Sequence, residues 1–179
     1  GVDVSSGVES SRGVKDAAKL FHGEYPGYGA CDTGYHDLQH TLDVSLAMAR
    51  IMAGYVRDGH GPAIDPELFS FGILAALFHD AGYIRRAGDH RHTNGAEYTK
   101  VHVSRGGQFL RSYLAKVGLA RFAPAAAPTL HFTGYEQPAE HIRVPDPIFR
   151  LLGNMLGSAD IIAQMSDRCY LEKCRDRLY

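Results

Sequence analysis

Three stretches of this 179-residue chain place imidazoles and carboxylates on segments that otherwise read as apolar. His36 and His40 are four residues apart, a spacing that stacks them on one side of a helix start. His79 and Asp80 are adjacent and close the run FGILAALF. Asp160 lies inside LLGNMLGSADIIAQM, where a carboxylate left alone is expensive. One divalent cation compensates the whole set, because neutral imidazoles and ionised carboxylates are its ligands. Two His and two Asp leave room for water, and a bound water of lowered pKa is a hydroxide source for hydrolysis. The ligand types do not choose the metal: Mn, Mg, Zn, Fe and Ni divalent ions are all compatible.

Such groups need helices to bring them together. Asp37 is placed to cap a helix carrying Leu38, Leu42, Ser45, Leu46, Ala49, Met52 and Ala53 at helical spacing, through about Tyr55. Asp65-Pro66-Glu67 is a second helix start, and the helix that follows is apolar nearly all round, so it should be central. Gly82 is expected to close it as a left-handed cap. Residues 96–118 are helical in pattern, weakened at Gly106-Gly107, and 124–136 read as a shorter helix and turn. A last long helix follows the Pro-spaced loop EHIRVPDP, with a break expected near Ser166. Residues 1–15 read as a loose arm and a short helix is expected around 14–22, before a Gly-rich loop. The reading is one all-α domain, with an arm and short helix over 1–34 and a helical core over 35–179.

Composition narrows the partners. A formal net charge of -1 leaves no electrostatic footprint for nucleic acid or an anionic membrane. The apolar runs are too short to span a bilayer, and the first 20 residues lack the apolar stretch of a signal peptide. Cys31, Cys169 and Cys174 are odd in number and show no metal-ligand spacing, which agrees with a reducing cytoplasm. Just beyond the His79-Asp80 pair, Arg85 and Arg86 have the planar fork that suits phosphate oxygens; a solvated surface loop is the alternative.

In their order, His40, His79-Asp80 and Asp160 resemble the H…HD…D pattern of the HD-domain superfamily of metal-dependent phosphohydrolases. The stretch YHDLQHTLDV, residues 35–44, is similar to the Y-H-N-x-x-H-A-x-D-V signature of the cyclic-nucleotide phosphodiesterases in that superfamily, departing at Asp37 and Thr41. The resemblance runs from about residue 35 to 165. It implies an all-helical fold around a metal centre with His40, His79, Asp80 and Asp160 as primary ligands. Asp80 would be able to bridge to a second ion, and His36 stands where that family keeps the histidine that protonates the leaving oxygen. His102 and His131 lie in segments where some members add ligands for a second metal. Ile84 replaces a histidine that the phosphodiesterases usually carry, and Gln164, one turn after Asp160, reads as a helix-surface residue.

The activity implied is hydrolysis of a phosphoester of a nucleotide or similar small molecule, cyclic nucleotides included. Two alternatives stay open. One is a mixed-valent di-iron oxygenase, which needs six protein ligands and therefore both His102 and His131. The other is a non-catalytic, metal-stabilised domain that binds a nucleotide or a partner protein. Oligomeric state leaves no mark in the sequence.

Overall fold

The first helix of the computed structural model, which describes residues 4–177, is longer than its sequence pattern announces. Helix α1 spans Val4–Phe21, so the expected loose arm is helical from Val4 onward, and residues 1–3 lie outside the described residues. Gly13, Ala17, Leu20 and Phe21 recur at helical spacing, are buried, and supply a narrow stripe for packing. Tyr113 adds a tie by donating its hydroxyl to Asp16 Oδ2 at 2.9 Å.

The capping aspartates act where the sequence places them. Asp37 accepts the His40 N–H at 2.9 Å and opens α2, Leu38–Asp58, which ends at Gly59 in the left-handed conformation. Asp65 accepts the Leu68 N–H at 2.7 Å and opens α3, Pro66–Phe78, with Pro66 in the first turn. Helix α3 is central: Phe71, Leu74, Ala75, Ala76, Leu77 and Phe78 are fully buried.

The expected helix over 96–118 divides into a 3-10 turn, Gly95–Tyr98, and α4, His102–Lys116. Asn94 and Glu97 close that turn with reciprocal side-chain-to-backbone bonds, which competes with continuing the helix. A short α5, Ala126–Leu130, leads to α6, Pro147–Ser166, capped by Asp146. The chain bends at Asp167, as expected near Ser166, into α7, Tyr170–Arg177. Helix α2 lies against α3 and α6, α1 against α3, and α5 against α4 and α6.

Among the described residues there is no strand, only an isolated bridge between Tyr28 and Arg86, and the fold is all-α. No helix among them is long and apolar enough to cross a membrane.

Gly82 has a different role from the left-handed cap expected of it. Helix α3 ends at Phe78, and Gly82 sits in a 3-10 turn, Ala81–Tyr83, without a positive φ. What demands glycine is close approach. A Cβ on Gly82 would lie 1.7 Å from the His102 carbonyl oxygen, and one on Gly106 would lie 2.8 Å from the His79 carbonyl oxygen. Both neighbours are backbone, so no flexible side chain can give way. This crossing brings the start of α4 to the His79-Asp80 pair. Gly82→Ala is expected to destabilise the protein by about 3 kcal/mol, read as a lower urea midpoint at unchanged slope. Gly54→Ala, on α2 with open space around it, is the control and should be neutral or slightly stabilising.

Candidate metal centre

The first turn of α2, the end of α3 and the middle of α6 converge on one buried point. His40 Nε2 lies 3.3 Å from Asp160 Oδ1 and 3.5 Å from Asp80 Oδ2, and His79 Nε2 lies 3.2 Å from Asp80 Oδ2. None of these four side chains is more than 9% exposed. Ligand-capable atoms of His40, His79 and Asp160 all lie within 4.8 Å of one another, as do those of His36, His40 and Asp80.

The local chemistry fits a cation. The Nε2 atoms of His40 and His79 are buried and have no hydrogen-bond partner. The neighbouring carboxylate oxygens are near enough to act by charge but are out of line for a directed bond. His79 Nδ1 donates to the Ala76 carbonyl at 2.7 Å, which in the neutral ring leaves the lone pair on Nε2. Two such nitrogens beside two carboxylates form a donor set for a divalent ion, and burying them otherwise is costly.

Without a cation, protons balance the carboxylates. Burial pulls the His79 pKa down, but the Asp80 and Asp160 charges outweigh it and the net value rises to about 9. Burial pushes Asp80 up, yet His79 and His36 beside it hold its carboxyl well below the usual range. His36 is raised overall, because Asp80 outweighs the downward pull of burial. At His102 burial wins and the pKa falls.

His36 and His102 approach Asp80 from its two oxygens. His36 Nδ1 is 2.8 Å from Oδ2, and its ring stacks on Tyr83 with centroids 4.3 Å apart. His102 Nε2 is 3.9 Å from Oδ1, and its Nδ1 donates to the Thr99 carbonyl at 2.7 Å. His131 faces a different group: its Nδ1 is 3.8 Å from Glu136 Oε2. Glu136 accepts from the Val103 and Ser104 N–H groups and from the Ser104 hydroxyl, so it caps the start of α4 from a distant loop.

The arginines are engaged elsewhere. Arg85 donates Nε and Nη2 to Asp32 Oδ2 at 3.0 and 2.8 Å and Nη1 to the His92 carbonyl at 3.0 Å. Arg86 is exposed, its guanidinium 4.2 Å from the centre of the Tyr28 ring. Gln164 matters more than a helix-surface reading allows, since it donates to Asp160 Oδ1 at 2.9 Å. Its spacing of four from Asp160 is the signal for that contact. No family model matches the chain, and comparison with curated proteins and with solved structures likewise returns no match.

Proposed function

We propose that this chain is a metal-dependent phosphohydrolase of the HD-domain type, acting on a phosphoester of a nucleotide or a similar small molecule. The observation that carries the reading is the pair of orphaned nitrogens, His40 and His79 Nε2, facing Asp80 and Asp160 inside an all-helical core. The resemblance of residues 35–44 to the phosphodiesterase signature supports it.

A divalent ion bound there supplies Lewis acidity and a water of lowered pKa. His40 and His79 present the nitrogen lone pairs, Asp80 and Asp160 the balancing charge, and Gln164 orients the Asp160 carboxylate. His36 is the proton donor. Its Nδ1 is engaged by Asp80 and its ring rests on Tyr83, so Nε2 can deliver a proton to the departing oxygen as the phosphorus–oxygen bond breaks. At 19% exposure, the His36 side chain is also the one in the cluster best placed to regain a proton from solvent.

A second ion is favoured by His102, whose Nδ1 is fixed and whose Nε2 faces the Asp80 oxygen turned from the other histidines. The oxygenase alternative would require His131 as well, whose Nδ1 faces Glu136.

The test is turnover of a panel of phosphomonoesters and cyclic nucleotides by purified protein with Mn²⁺ or Mg²⁺. Hydrolysis of at least one member is expected. No turnover with the ion shown to be bound would remove the proposal, and two irons per chain with oxygen uptake would replace it.

A further inference from the structure

We infer that the Asp32–Arg85 pair is a positioning device for His36, an inference that rests on the hydrolase reading above. His36 is held at three places. Asp80 engages its Nδ1 at 2.8 Å and Tyr83 stacks on its ring. Its carbonyl accepts from the Thr33 hydroxyl at 2.9 Å and the Cys31 thiol at 3.2 Å. The first two holds belong to the segment after α3 and the third to the loop before α2.

Asp32, between Cys31 and Thr33, joins the two segments. Its Oδ2 accepts both arms of the Arg85 fork, and its Oδ1 accepts the Gly95 N–H at 2.7 Å. Arg85 is two residues beyond Tyr83 and five beyond Asp80. Both side chains of the pair are about 30% exposed, so its charge attraction is screened and modest. Its contribution is geometric: Nε and Nη2 converge on Oδ2 while the Gly95 N–H holds Oδ1, and the three bonds together orient the carboxylate. The pair therefore sets how the loop bearing His36 registers against Asp80. His40, His79 and Asp160 are carried by helices and do not depend on this tie.

Arg85→Lys keeps the charge and removes the fork, and Asp32→Asn keeps the shape and weakens it. Both are compared with the wild type on a p-nitrophenyl ester, whose leaving group needs no proton, and on an alkyl ester of phosphate, whose leaving group does. We expect kcat on the alkyl ester to fall by about tenfold or more and on the p-nitrophenyl ester by less than about threefold, with Mn²⁺ affinity by calorimetry unchanged. In a His36→Ala background, Arg85→Lys should cause no further loss on the alkyl ester.

A readout free of activity is the ¹⁵N NMR shift of the His36 ring nitrogens in metal-free protein, which should move in both variants. Equal losses on the two esters, or unchanged His36 shifts in folded variants, would overturn the inference. Altered shifts in a protein that hydrolyses neither ester would uphold the positioning and remove the hydrolase reading instead.

Discussion

Asp80→Asn is expected to abolish metal binding and hydrolysis together. Asp80 Oδ2 is the common neighbour of His36, His79 and His40 at 2.8, 3.2 and 3.5 Å, and Oδ1 faces His102 at 3.9 Å. Asparagine keeps the shape and removes the charge on which every one of these imidazoles is arranged. Loss of a group that merely supports a ligand costs about 10–100-fold in affinity, so loss of this central carboxylate should cost at least about 100-fold.

The metal-free variant carries a second signature. Because the folded Asp80 pKa is depressed, ionised Asp80 contributes stability above its unfolded value near 3.8, and that contribution is lost as pH falls through the lower folded value. The variant should therefore be less stable than wild type at neutral pH and flatter in its acid-side denaturation. Calorimetric titration with Mn²⁺ and urea melts across acid pH check both. An asparagine variant that binds the ion as wild type does would place the centre elsewhere.

Metal is expected to stabilise the protein more as pH rises. The His79 pKa is raised from 6.5 to about 9, so its proton contributes stability that is complete below 6.5 and is lost as pH climbs through about 9. A cation needs the same nitrogen unprotonated, so ion and proton compete, and the ion gains as the proton leaves. The increase in Tm on adding a divalent ion should widen steadily from about pH 6.5 to about pH 8.5, with proton release on binding at the lower end. Scanning calorimetry with and without the ion at a series of pH values measures it. A constant or shrinking increment would separate His79 from the ion.

Much of the helical frame is legible because its signals are local. Asp37 and Asp65 declare the starts of α2 and α3 by their own side-chain bonds, and the bend at Asp167 follows the loss of apolar spacing after Ser166. The spacing of His36, His40, His79, Asp80 and Asp160 also sufficed to expect the cluster that the helices assemble.

What escaped depends on distant partners. Gly82 is demanded by a carbonyl 20 residues later in the chain, that of His102. Arg85 looks like a phosphate ligand until Asp32, 53 residues away, takes its fork. His131 lies beside Glu136 and not beside Asp80, a placement set by the fold, and its Nδ1, 3.8 Å from Oε2, is buried without a hydrogen-bond partner. Gln164 was readable in principle, since a spacing of four on one helix already pairs it with Asp160.

The histidine–aspartate pair sits at the end of α3, a helix packed against α1, α2, α4, α5 and α6. The segments that open most readily in a protein are those with few buried contacts, and α3 is their opposite. A pair so placed is expected to separate from α2 and α6 only when the whole fold opens.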